Sequence, residues 1–306
     1  MHKLIVGTRG SRLALWQAQQ VAAELRRKVN GLDIEIKIIK TKGDKYLDVA
    51  LSKIGDKGLF TKEIEYELLR GNIDLAVHSL KDLPSQLEPD FEIGAVLPRE
   101  DPRDVLISEK NYSMNNLPPD ARIGTSSLRR QAQVKAFKSD IRIVELRGNV
   151  ETRMKKMRLD DLDGIILAYA GVKRLGLTQY ISDYLSPEII MPAVGQGAIA
   201  IETRKGDEKT LEMVRSVDDL GSHRMIRAER AFLRELEGGC QVPIAGLAEI
   251  QDHQLILNGL IASLDGKKVV RGKEIGSIAN PEEVGIKLAQ DLLDRGAGSI
   301  LKEIRA

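Results

Sequence analysis

One cysteine in a chain of 306 residues excludes an intramolecular disulfide. The four histidines, at positions 2, 78, 223 and 253, are scattered, and with Cys240 they form no metal-ligand spacing, so no structural metal is expected. Aromatic residues make up only 4% of the chain. The cores must therefore be built from Ile, Leu, Val and Ala, and the stacking side chains used to grip single-stranded nucleic acid are scarce. Charge of one sign is not in excess: 47 Lys and Arg face 45 Asp and Glu, interspersed, for a net charge of +2. That balance argues against disorder and against a dedicated nucleic-acid surface. No apolar run reaches the roughly 18 residues needed to cross a bilayer. At the N-terminus Leu4-Ile5-Val6 is interrupted by Gly7-Thr8-Arg9, well short of the about 7–15 apolar residues of an export signal. A cytoplasmic protein with neither membrane nor nucleic-acid partners is expected.

What is present is a repeated alternation of short β-type runs with amphipathic helical patterns, the signature of parallel strands joined by crossover helices. Leu4-Ile5-Val6 predicts a strand, and Ala14, Ala18, Val21, Ala22, Leu25 and Val29 line one face of a helix over 11–29 with Ser11 as N-cap. Strands over 34–39 and 73–77 and a helix over 60–70 complete a first α/β unit. The pattern restarts with strands at 105–107, 122–124, 141–146 and 164–168 and helices at 128–137, 150–159 and 170–175. Two segments punctuate it, PREDP at 98–102 and MPAVGQG at 191–197. Read as paired crossovers, they make 198–201 a strand returning to the first unit and place a hinge and cleft between two lobes. From 244 onward the pattern is β-β-β-α, with Asn280-Pro281 opening the last helix. The expected domains are residues 1–97 with 198–215, residues 103–191, and a small α+β domain over 216–306.

In open parallel sheets ligands bind beyond the carboxyl ends of the strands. Those positions hold Thr8, Arg9, Gly10 and Ser11, then Lys81 and Asp82, then Thr125, Ser126, Ser127, Arg129 and Arg130, then Arg147 with Arg153 in the following turn. Guanidinium forks and helix N-termini both stabilise anionic oxygens, so the series suits a ligand with several carboxylates or phosphates. Asp82 is the one carboxylate in it. In such company an acid is suited to accepting a proton or stabilising developing positive charge; the alternative is a plain surface pair with Lys81. Cys240 follows Gly238-Gly239, which allow an open turn, and a thiol facing an arginine-rich cleft would be biased toward the nucleophilic thiolate; a lone cysteine also serves as a small buried hydrophobe. The charged, Gly-rich stretch 41–58 is either a lid or an ordinary surface loop. His78 and Trp16 read as packed residues.

GTRGSRLALWQA at 7–18, KGLFTKEIE at 57–65, HSLKDLP at 78–84, GTSSLRRQAQ at 124–133, LRGNVETR at 146–153, VGQGAIAIETR at 194–204 and ERAFLRELEGGCQVPIAG at 229–246 together resemble the porphobilinogen deaminase, or hydroxymethylbilane synthase, family. The resemblance implies three domains, the first two like type II periplasmic binding proteins. It implies a monomeric transferase of heme and tetrapyrrole biosynthesis that polymerises porphobilinogen into hydroxymethylbilane with release of ammonia. It further implies a dipyrromethane cofactor on a thioether to Cys240 and a catalytic Asp82. Cofactor and substrate carboxylates would fall to Arg9, Lys81, Arg129, Arg130, Arg147 and Arg153, with Ser11, Thr125, Ser126 and Ser127 as further anchors. Gln196 resembles a position lining the cleft; serving the hinge alone is the other reading. One departure is Asp56, which stands where the family usually has a second glycine. A non-catalytic two-lobed module binding an organic anion is the competing class; it would explain the cations but require neither Cys240 nor Asp82.

Overall fold

Ser11 begins the first helix as the sequence predicts: its Oγ accepts the Ala14 N–H at 3.2 Å, satisfying one of the N–H groups a helix start leaves open. In the computed structural model, which describes residues 2–45, 61–238 and 242–305, the chain runs β1 (His2–Thr8), α1 (Arg12–Lys28), β2 (Leu32–Ile38), α2 (Lys62–Leu69), β3 (Leu75–Ser79) and β4 (Phe91–Val96). It continues through β5 (Asp104–Ile107), β6 (Arg122–Gly124), α3 (Leu128–Phe137), β7 (Arg142–Val144), α4 (Val150–Leu159), β8 (Gly164–Ala168), α5 (Tyr169–Arg174) and β9 (Ile181–Leu185). The last third comprises β10 (Ile199–Arg204), α6 (Glu208–Arg215), α7 (Leu220–Glu235), β11 (Ile244–Gln251), β12 (Gln254–Ala262), β13 (Val269–Ser277), α8 (Pro281–Leu292) and α9 (Gly298–Arg305). Among the described residues the chain divides into two units, one of residues 2–45, 61–100 and 197–223, the other of 101–196, 224–238 and 242–305. Among them no helix is long and apolar enough to cross a membrane.

In the first unit the strand order is β2-β1-β3-β10-β4. β1 pairs parallel with β2 and β3, whereas β10 pairs antiparallel with both β3 and β4. The buried stripe Ala18, Val21, Ala22 and Leu25 of α1 packs on Leu4, Val6, Leu75, Val77 and Ile201 on one face of this sheet. Ile64 and Leu68 of α2 pack on Ala76 and Ile73 on the other. Burying both faces is what a parallel sheet requires.

The second unit holds a sheet of order β7-β6-β8-β5-β9. β6 is parallel to β7 and β8, and β5 is antiparallel to β8 and β9, so position by position it repeats the first sheet. The same unit carries the antiparallel sheet β11-β12-β13. Its core joins Ala228 and Phe232 of α7 to Leu255, Leu257 and Ile261 and to Val284, Leu288 and Leu292 of α8. The turn between β12 and β13 is pressed on α3. Gly266 has φ +73°, and a Cβ there would lie 2.4 Å from the Ala136 nitrogen and 2.6 Å from the Ala132 oxygen. Ala132 also shares a small core with Met191, Ala245, Leu247, Leu260 and Ala262. The expected fold class, two α/β lobes and a small α+β C-terminal domain, is the one observed.

Candidate functional site

β6 ends at Gly124, and the next three residues knit its end to the neighbouring strand before α3 begins. The Thr125 N–H donates to the Val144 carbonyl at 2.9 Å. Ser126 Oγ donates to the Leu146 carbonyl at 2.8 Å and accepts the Leu146 N–H at 3.0 Å. Thr125 Oγ1 accepts the Ser127 N–H at 3.2 Å. Ser127 is the N-cap residue of α3 without a side-chain capping bond. The Ser126 hydroxyl and the Thr125 backbone N–H therefore hold the strand end and loop that lead to Arg147.

Arg129 and Arg130 lie in the first turn of α3, each only 5% exposed. Arg129 donates through Nη1 to the Met191 carbonyl at 2.6 Å and its Nη2 lies 2.8 Å from Asp104 Oδ2. Arg130 donates to the Ile166 carbonyl at 2.9 Å and to Asp104 Oδ1 at 2.7 Å. Asp104 is fully buried. Burial alone would push its carboxyl up, but Arg129, Arg130 and a hydrogen bond from Gln196 hold it far below the usual carboxylate range. Gln196, 1% exposed, donates its amide to Asp104 Oδ1 at 2.9 Å and to the Pro102 carbonyl at 2.7 Å. It thereby ties the two crossover segments together.

Arg147 follows β7 on a loop that only glycine can turn. Gly148 has φ +120°, and a Cβ there would come within 2.6 Å of Thr152 Cγ2. Asn149 caps α4 by accepting the Thr152 N–H at 2.8 Å, and Arg153 Nε donates to the Gly148 carbonyl at 2.8 Å. Two buried donors in this half, Arg130 Nε and Arg147 Nη1, have no hydrogen-bond partner. Unmatched buried donors are rare and call for an acceptor.

The first unit carries the other predicted residues. Ser11 caps α1, and Thr8 Oγ1 donates to the Ala14 carbonyl at 3.2 Å, fixing the loop that carries Arg9. β3 runs into the short turn Leu80–Asp82, in which Leu80 is the buried anchor, Lys81 is half-buried and Asp82 is exposed. The Leu80 N–H donates to the Ala198 carbonyl at 3.1 Å, pinning the turn to the start of β10. Cys240 and most of the stretch 41–58, Asp56 included, lie outside the described residues.

Three acidic residues escape sequence reasoning: Asp104, Glu202 and Glu65. His78 is indeed packed, and its Nε2 meets Glu202 Oε2 at 2.9 Å in the interior. Glu65 faces the same pair, and burial, with Glu202 adding to it, pushes its carboxyl above the ordinary value. An acid inside the apolar run Ile199-Ala200-Ile201 and Thr203 is the signal that could have revealed Glu202.

The family profile described as porphobilinogen deaminase, dipyromethane cofactor binding domain, matches residues 4–212, and that of the porphobilinogen deaminase C-terminal domain matches residues 224–294. The chain belongs to the porphobilinogen deaminase family. Porphobilinogen deaminase of Syntrophomonas wolfei is 59% identical over 305 residues, covering 100% of each chain. That of Carboxydothermus hydrogenoformans is 54% identical, covering 99% of this chain and 97% of the other. Among solved structures, a TRAP periplasmic solute binding protein from Desulfovibrio salexigens aligns with 71% of this chain and 72% of its own at 8% identity and a TM-score of 0.41.

A dipyrromethane carries acidic side chains, and the residues present fit it. Two guanidinium groups against one carboxylate leave the Asp104 cluster with one buried positive charge in excess. With the unmatched Arg130 Nε, that forms a subsite suited to one anion, and the unmatched Arg147 Nη1 is a further donor in the same unit.

Proposed function

We propose that this chain is a transferase that condenses porphobilinogen head to tail into the linear tetrapyrrole hydroxymethylbilane, releasing ammonia, in heme biosynthesis. The observation that carries the reading is the buried Arg129–Asp104–Arg130 cluster with its unmatched donors, in a chain of this family. Cys240 holds the dipyrromethane by a thioether, with Lys81, Asp82, Thr125, Ser126, Ser127, Arg129, Arg130 and Arg147 as its further contacts. When bound, the group supplies the pyrrole α-carbon at which the chain is extended.

The remaining work falls to side chains. Arg9, Ser11, Arg147 and Arg153 bind the acetate and propionate arms of porphobilinogen, for which planar guanidinium forks are matched donors. Gln196, expected to line the cleft or serve the hinge, has its amide engaged by Asp104 and the Pro102 carbonyl and takes the hinge role. Asp82, exposed on its turn, presents a carboxylate to the positive charge that develops as the carbon–nitrogen bond to ammonia breaks. The same carboxylate oxygen takes the proton lost from the pyrrole α-carbon. The protein acts as a cytoplasmic monomer, which light scattering of the purified chain tests.

Incubation with porphobilinogen, followed by oxidation and porphyrin absorbance, measures the reaction directly. The intact mass is expected to exceed the sequence value by one dipyrromethane and to lose that increment in Cys240→Ser. Asp82→Ala is expected to retain the increment and lose turnover. Binding of porphobilinogen without turnover by the mass-loaded protein would identify an anion-binding module instead.

A further inference from the structure

We propose that Asp104 is the positioning residue of the anion subsite: it sets the orientation of the Arg129 and Arg130 guanidinium groups and trims their charge to that of a single cation, so that the subsite takes one carboxylate. The inference rests on the reading that these arginines hold the acidic cofactor.

Three observations converge on it. First, Asp104 opens β5 immediately after the first crossover and is fully buried, so its carboxylate cannot be exchanged for water without opening the lobe. Second, each guanidinium is held from two sides, Arg129 by Asp104 and the Met191 carbonyl, Arg130 by Asp104 and the Ile166 carbonyl. A planar group fixed at two corners cannot rotate, and the donor left over, Arg130 Nε, has a set direction. Third, the charge count is specific. Without Asp104 two adjacent guanidinium groups would repel and swing apart; with it a net single charge remains, which one carboxylate arm neutralises.

Asp104 is therefore distinct from the residues that touch the ligand, because it acts only through Arg129, Arg130 and Gln196. Gln196 extends its reach. By bonding Asp104 and the Pro102 carbonyl at once, it joins the orientation of the arginines to the path of both crossover segments.

The test uses the full chain and reads cofactor loading by intact mass rather than turnover. Asp104→Ala is expected to lower the loaded fraction about tenfold or more, the factor that follows from losing a charged hydrogen bond. Formate added during production of the protein, at constant ionic strength, is expected to restore loading, whereas chloride is not, because only formate returns a carboxylate to the vacated position. Equal recovery in the two salts, or wild-type loading without either, would overturn the proposal. Should Asp104→Ala fail to fold, Asp104→Asn keeps the shape and removes the charge, and wild-type loading in that folded variant has the same consequence. Arg130→Gln separates the two levels. Its loading at the wild-type level would remove the cofactor reading itself, while reduced loading in Arg130→Gln alongside full loading in Asp104→Asn would remove only the role given to Asp104.

Discussion

Opposite environments act on two buried carboxyls, and the pH dependence of each follows. Asp104 is pushed up by burial but held well down by Arg129 and Arg130. Its ionised form stabilises the fold above the unfolded-state value near about 3.9, and that contribution is lost as pH falls below it. Asp104→Asn should therefore cost about 3–5 kcal/mol at neutral pH, the penalty for stripping one partner from a buried pair, with the gap to wild type closing in acid. Urea midpoints across pH check this. Glu65 behaves in reverse, because burial and the neighbouring Glu202 raise it. Its ionised form opposes folding above its raised value and ceases to do so in acid. Glu65→Gln should raise the thermal midpoint at pH 8 and leave it unchanged near pH 4. At this scale the sequence displayed the cations and Asp82, since strand-end positions can be read from periodicity. It hid Asp104 and Glu202, because a carboxylate in a short strand looks like a solvated side chain until its partners, Arg129 and Arg130 or His78, are brought to it from 25 to 124 residues away.

Among the elements, the helices with a clear buried stripe were legible to within one or two residues. α3 and α4 have the bounds their periodicity predicts, and α1 starts on its Ser11 cap. Four short elements were not: β4, β9, α6 and α9. β9 is an edge strand, Ile181-Ser182-Asp183-Tyr184-Leu185, with only Leu185 buried, so it shows no alternation. α6 has eight residues and buries just Thr210, Leu211 and Val214, a stripe defined by the sheet that receives it more than by its own pattern. Packing at α1 is tested by Leu25→Ala, expected to cost about 2–5 kcal/mol in a denaturant titration because Leu25 is wholly enclosed. The α3 interface with the C-terminal domain is tested by Gly266→Ala. A methyl group against the Ala132–Ala136 backbone must displace either the turn or the helix, at about 1–3 kcal/mol. Since α3 carries Arg129 and Arg130, the loaded fraction measured by mass should fall as well.

At the level of the whole molecule, the alternation of strands and helices was enough to announce two α/β lobes and a β-β-β-α tail, and the crossovers at 98–102 and 191–197 announced the discontinuous first lobe. The lateral order of strands was not readable, because pairing depends on which strand β10 enters between. β10 fits between β3 and β4, completing the first sheet with residues 199–204. β5 to β9, by contrast, lie within one uninterrupted stretch, 104–185. On a ribosome, where domains usually fold in the order in which they emerge, this chain is obliged to do otherwise. Its amino-terminal lobe must wait, with β4 lacking its sheet neighbour, until Arg204 has left the exit tunnel, by which time every strand of the middle lobe is already available for pairing.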